Sequence, residues 1–198
     1  MAPVGILAVQ GDFQAHGKAL DRLGTTWRFV KKPSELNGLS GLILPGGEST
    51  TFLKFLQEEA WFEPIRRFAS SRPVFGTCAG AILLAEKVEN PSQDSLGLLH
   101  VTIRRNGYGR QLSSSVQTVE AEPELQIGPE AGAPLEAVLI RAPVILRAAP
   151  QVRVLARLHG QAVLVREGTV LAGTFHPELT SDSRVHRYFC GMLPGGIR

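Results

Sequence analysis

Cysteine is scarce in this chain. Its 198 residues include two, Cys78 and Cys190, with no C-x-x-C pair and no cluster of cysteine and histidine at metal-ligand spacing. A disulfide framework is thereby excluded, and neither a zinc site nor any other metal or cofactor site is indicated. No apolar run approaches the length of a membrane span, and the N-terminus lacks the basic, apolar and small-residue succession of a secretory signal. Although the net charge is +3, with 21 basic and 18 acidic residues, the basic residues form no dense block. Lys31-Lys32, Arg66-Arg67 and Arg104-Arg105 are pairs, too sparse to predict binding to nucleic acid or membrane. Internal repeats and low-complexity tracts are also missing. These absences predict a soluble, cytoplasmic protein, and 43% hydrophobic content over this length is enough for one well-buried domain spanning residues 1–198.

What is present centres on Pro73-Val74-Phe75-Gly76-Thr77-Cys78-Ala79-Gly80-Ala81-Ile82-Leu83-Leu84-Ala85. A short apolar run, a cysteine between small residues and a helix-forming run read as strand, sharp turn, helix. A nucleophile at such a turn projects above the sheet, and glycines flank it because a Cβ would collide with neighbouring backbone. The helix N-terminus favours the thiolate, and the N–H of Ala79 is placed to hold an oxyanion. A lone G-x-C-x-G also fits a buried free cysteine, so the motif needs partners.

In chain order, Val4 to Gln10 predicts a strand buried on both faces, followed by a helix capped by Asp12 and ending at Gly24. Thr26 to Lys31 and Gly41 to Leu44 predict two further strands. Pro45-Gly46-Gly47-Glu48-Ser49-Thr50-Thr51 is a glycine turn before a helix that carries Phe52, Phe55 and Leu56 on one face, with Ser49 or Thr50 as its cap. It lacks the G-K-[ST] ending of a phosphate-binding loop. With a helix over Trp61 to Ser70, the first half reads as β-α units around a parallel sheet, and the glycine turn and the elbow both fall at the carboxyl edge where such sheets bind ligands. The second half, with Leu98–Ile103, Val116–Ala121, Ala137–Arg141, Val152–Leu158 and Ala162–Val165, predicts antiparallel strands. Arg166-Glu167-Gly168 predicts a hairpin turn into Thr169–Ala172. Glu120 to Pro134 predicts an exposed loop, and Ser183 to Leu193 a closing helix.

A cysteine nucleophile needs a base and a group to orient that base. His176 and Glu178 supply both types at a strand end, on one side of an extended chain because i and i+2 face the same way. His16 and His186 read as solvated helix residues without chemistry. His100 and His159, in or beside strands, read as satisfied by hydrogen bonds, and Cys190 as a buried structural thiol.

G-T-C-A-G at 76–80 and H-P-E at 176–178 resemble the class I glutamine amidotransferases. Leu44 to Thr51, R-N-G-Y-G-R-Q at 105–111, I-R-A-P at 140–143 and H-P-E-L at 176–179 resemble more closely the glutaminase subunits of pyridoxal 5'-phosphate synthases. The likeness runs from Val4 to about Phe189. It implies a flavodoxin-like three-layer α/β sandwich, with a mostly parallel central sheet, helices on both faces and an antiparallel extension. It also implies a triad of Cys78, His176 and Glu178. Gly47, Glu48, Ser49, Arg105, Ile140 and Arg141 would hold L-glutamine, and Gln10 would lie near the site and the partner surface. One departure is Ala15 before His16, where family members often carry an acidic residue. It bears on contact with the synthase and leaves the triad untouched.

The implied reaction is hydrolysis of L-glutamine to glutamate and ammonia, with the oxyanion held by Gly46, Gly47 and Ala79. The ammonia would pass to a barrel-shaped synthase subunit that makes pyridoxal 5'-phosphate. Two rivals stand beside it: a stand-alone cysteine hydrolase or peptidase of similar fold, and a catalytically silent regulatory subunit.

Overall fold

In a computed structural model, residues 2–105, 107 and 114–196 are described. The R-N-G-Y-G-R-Q segment therefore lies outside the described residues except for Arg105 and Gly107.

The chain opens with β1 (Val4–Leu7), α1 (Phe13–Arg22), β2 (Trp27–Val30) and β3 (Gly41–Leu44). Asp12 occupies the N-cap position of α1, but its side chain makes no capping hydrogen bond. Gly24 follows the helix with φ +64°, a conformation that glycine adopts without steric cost. Next come α2 (Ser49–Glu58), α3 (Phe62–Ala69), β4 (Val74–Thr77) and α4 (Ala79–Leu84). The helix expected to continue through Ala85 stops there and becomes β5 (Ala85–Glu89). Glu86 and Lys87 are exposed while Val88 is buried, so these polar residues suit a strand edge better than another turn of helix inside the core.

The second half contains β6 (Leu99–Arg104), β7 (Ser114–Ala121), β8 (Leu135–Ile140), β9 (Val144–Ala148), β10 (Arg153–Leu158), β11 (Gln161–Glu167), β12 (Val170–Gly173) and α5 (Arg184–Met192). The main sheet has nine strands in the order β2-β1-β3-β4-β12-β11-β10-β7-β8, and β5-β6-β9 form a separate three-stranded sheet. Strands β2 to β12 of the main sheet pair in parallel, whereas β11, β10, β7 and β8 extend it antiparallel. Strand β12 thus closes a hairpin with β11 on one side and pairs in parallel with β4 on the other. The order 2-1-3-4 followed by a fifth parallel strand is that of the flavodoxin-like fold.

Alternation within the strands decides which side chains meet which helices. Leu42 and Leu44, Val74, and Val170 and Ala172 point into one apolar cluster with Phe52 and Leu56 of α2 and Ile65 of α3. Ile43, Phe75 and Leu171 point into another with Leu20 of α1 and Val185 and Phe189 of α5. A one-residue slip of any strand would exchange the two sets, so burial of both faces pins the register. Each fully buried Leu, Ile or Phe contributes about 1.5–3 kcal/mol, which makes such a slip costly.

The 120–134 segment is largely exposed, as expected, but anchored. Leu125 is fully buried, and the wholly buried Arg184 donates to the carbonyls of Ala133 and Pro134 at 2.9 and 3.0 Å while pairing with Asp182. Cys190 is half-buried, 3.5 Å from the Thr25 hydroxyl. His100 is bonded to Glu167 at 2.7 Å.

Candidate active site

Cys78 stands between β4 and α4 with φ 48° and ψ −103°, a left-handed backbone that costs a non-glycine residue on the order of 1–3 kcal/mol. Two close approaches enforce the turn. A Cβ on Gly80 would lie 2.0 Å from the Leu44 carbonyl oxygen, and one on Gly76 would lie 2.6 Å from the Gly80 carbonyl carbon. The first turn of α4 is thereby pressed against the ends of β3 and β4. The Cys78 amide donates to the Gly173 carbonyl at 2.8 Å, tying the elbow to the end of β12. Its sulfur lies 3.9 Å from the Ile140 carbonyl.

The chain leaving β12 buries Phe175 completely, and the His176 amide donates to the Val138 carbonyl of β8 at 2.9 Å. His176 Nδ1 and Glu178 Oε1 are 2.8 Å apart. Their meeting was expected from an extended chain. Instead, residues Pro177–Leu179 form a 3-10 turn that folds the carboxylate back beneath the ring. Burial pushes the His176 imidazolium down, but hydrogen bonds and charge attraction from Cys78 and then Glu178 outweigh it, raising the pKa to about 10. Burial also opposes the Glu178 carboxylate, yet His16 and His176 beside it hold its pKa below the ordinary range.

All six residues assigned to the substrate by resemblance, Gly47, Glu48, Ser49, Arg105, Ile140 and Arg141, line one cleft of about 90 Å³, together with Cys78 and Ile82. Glu48 caps α2 by accepting from the amides of Thr50 and Thr51 at 3.0 and 2.7 Å, a role that Ser49 or Thr50 was expected to fill. Burial works against its charge, but those bonds prevail and bring its pKa down to about 2. The same carboxylate holds Arg105 at 3.3 Å, and Arg105 also donates to the Thr50 hydroxyl at 3.0 Å. Arg141 has φ 45°, a second left-handed residue at the cleft. Gln10 donates to the Glu48 carbonyl and packs against Gly47. Gly46 packs against the His176 ring, and Ala79 opens α4.

His16 and His186, expected in solvent, are fully buried. His16 Nδ1 is 3.0 Å from His186 Nε2, while His16 Nε2 is 3.2 Å from the Thr77 hydroxyl and 3.6 Å from Glu178 Oε1. Both rings lie edge-on to Phe75. Helical spacing carried the missed signal, since His16 shares a stripe with Ala19 and Leu20, as does His186 with Val185 and Phe189. Among the described residues, no group of three or more His, Cys, Asp or Glu could hold a metal ion, and no helix is long and apolar enough to cross a membrane.

A cysteine on a strand-to-helix elbow, backed by an imidazole and a buried carboxylate at the carboxyl edge of a parallel sheet, equips an α/β protein for acyl transfer. The model of the SNO glutamine amidotransferase family matches residues 6–194, and the chain belongs to that family. Pyridoxal 5'-phosphate synthase subunit PdxT of Koribacter versatilis is 51% identical over 193 residues, covering 98% of this chain and 96% of that protein. The subunit of the same name from Solibacter usitatus is 50% identical, covering 98% and 100%. A crystal structure of a glutamine amidotransferase, 46% identical, superposes with a TM-score of 0.87 over 96% of this chain and 97% of the other.

Proposed function

We propose that the chain is the glutaminase subunit of a pyridoxal 5'-phosphate synthase, acting in the cytoplasm through Cys78, His176 and Glu178. The observation that carries this is the single cleft in which Cys78 meets Gly47, Glu48, Ser49, Arg105, Ile140 and Arg141. A zwitterionic amino acid requires a cation for its carboxylate and acceptors for its ammonium, and the arginines, Glu48 and the Ile140 carbonyl provide those chemistries.

The Cys78 thiolate attacks the side-chain amide carbon of L-glutamine, and the resulting oxyanion is received by backbone N–H groups of Gly47 and Ala79, with Gly46 shaping the turn. His176, raised in pKa and oriented through Nδ1 by Glu178, gives its proton to the departing nitrogen. Ammonia leaves and a glutamyl thioester remains. Water, deprotonated by the same imidazole, then hydrolyses the thioester to glutamate and restores the thiolate. The sum is glutamine plus water to glutamate plus ammonia.

Ammonia released to bulk water protonates and ceases to be a nucleophile, so a synthase subunit docked on this chain is the proposed receiver. Gln10, bonded to the turn that carries Gly47 and Glu48, is positioned to report docking to that turn. The test is glutamate release by wild type and by Cys78→Ala, with and without the synthase subunit. We expect release by the wild type, stimulation by the synthase, and loss of activity on substitution. Cleavage of peptides with no action on glutamine would favour the stand-alone hydrolase. Absence of any release from the complete complex would favour a silent regulatory subunit.

A further inference from the structure

We propose that His16 and His186 are positioning residues, an uncharged hydrogen-bonded imidazole pair that turns one fixed N–H dipole toward the buried Glu178 carboxylate and so sets the Cys78–His176–Glu178 geometry. The proposal rests on the glutaminase reading for its kinetic consequence, but its structural content stands apart from that reading.

The Glu178 side chain is fully buried, and a carboxylate without water must find its donors in the protein. His176 gives one, on Oε1, and His16 Nε2 approaches the same oxygen from the other side. Because a carboxylate accepts and does not donate, the proton of His16 belongs on Nε2, where it bonds to the Thr77 hydroxyl while facing Glu178. Nδ1 of His16 is then an acceptor, so His186 must donate from Nε2, which leaves His186 Nδ1 unprotonated. That nitrogen is buried without a hydrogen-bond partner among the described residues, where an N–H would be worse placed still. Both tautomers follow from one carboxylate. The pair also links Thr77, immediately before the nucleophile, to the carboxylate behind the base.

Charge on the pair is disfavoured. Burial dominates in lowering the pKa of His16, with Glu178 and Asp12 pulling the other way and His176 adding repulsion. Burial likewise lowers His186 to about 3, reinforced by His16 and Arg22 against Glu178. One carboxylate can serve one adjacent imidazolium well, and His176, with Cys78 on its far side, holds that place. A neutral dipole from His16 supports the carboxylate without competing for it.

The first measurement needs no activity: nitrogen-15 spectra of the histidine side chains in the wild-type protein. Neutral Nε2–H forms of His16 and His186, unchanged between about pH 5.5 and 8, are expected. Titration of either ring near its ordinary value, or an Nδ1–H form of His16, overturns the proposal. The second measurement is the pH profile of glutamine hydrolysis by the complex with the synthase subunit. His16→Leu is expected to lower kcat about tenfold at unchanged KM and to move the acid limb upward by about one pH unit, since the carboxylate loses support. His16→Gln, which keeps an N–H at the Nε2 position, recovers most of that loss. A folded His16→Leu protein with the wild-type rate and profile refutes the positioning role. Failure of the wild-type complex to release glutamate would instead remove the glutaminase reading, leaving the spectra to decide on the pair.

Discussion

The imidazole of His176 occupies the space that a side chain on Gly46 would need: a Cβ there would lie 2.4 Å from Cε1 and 3.0 Å from Nδ1. The glycine turn after β3 therefore does two jobs. It lines the cleft through Gly47 and packs against the His176 ring through Gly46. Gly46→Ala is predicted to displace the ring from Cys78, lowering kcat about a hundredfold while KM for glutamine changes little, because misplacing a reacting group by about 1 Å carries that penalty. Glutamate-release kinetics with the synthase subunit check this. A rate within a few-fold of wild type would mean that the ring yields without leaving its productive position.

Gly80 is a matter of stability before it is one of catalysis. Its missing Cβ would stand 2.0 Å from the Leu44 carbonyl oxygen, and backbone on both sides leaves no flexible group to move aside. Gly80→Ala must separate α4 from β3, and a loss of about 2–3 kcal/mol in urea unfolding is predicted. An unfolding midpoint equal to that of wild type would contradict this account of the elbow.

His176 has a folded-state pKa of about 10 against an ordinary value near 6.5, and interaction with Cys78 is the foremost cause of the rise. A group whose pKa is raised on folding contributes its full stability below the unfolded value and loses it as pH climbs through the folded one. The stability advantage of wild type over Cys78→Ala should therefore shrink between about pH 6.5 and 10. In the same variant, the nuclear magnetic resonance titration midpoint of His176 should fall. A midpoint indifferent to the substitution would assign the rise to Glu178 alone.

Most of the parallel half was legible because its strands are short, mostly apolar and separated by glycine-marked turns. Cys78, His176 and Glu178 were legible as candidates from their local motifs, since a cysteine at an elbow and H-P-E at a strand end are each readable within a few residues. Their contact was not, because it depends on β12 inserting beside β4 and on a 3-10 turn at Pro177. Strand β5 was hidden because the apolar run of α4 leads straight into its first residue, Ala85, and its charged residues do not read as a strand, while β9 is short and follows the cleft segment at Arg141. The His16–His186 pair was missed for a different reason. Histidine is polar enough to read as solvated, and whether a histidine on an apolar stripe is buried depends on a partner from the other end of the chain. Glu48 shows the converse. Ser and Thr are common caps, but here the longer carboxylate reaches two amides and an arginine together.

That arrangement at Glu48 makes one side chain responsible for a helix start and for the aim of Arg105. Its pKa is depressed to about 2, so the stability it confers is present above the ordinary carboxylate value and is lost as pH falls from about 4.5 toward 2. Glu48→Gln cannot accept from both amides through two oxygens and carries no charge for Arg105. Unfolding curves of the variant should lack the part of the acid-induced loss that Glu48 contributes, and KM for glutamine should rise about tenfold through the loosened arginine. The two readouts separate the roles: a stability change with unaltered KM would confine Glu48 to capping α2, while a KM change at constant stability would place its effect on Arg105 and the substrate.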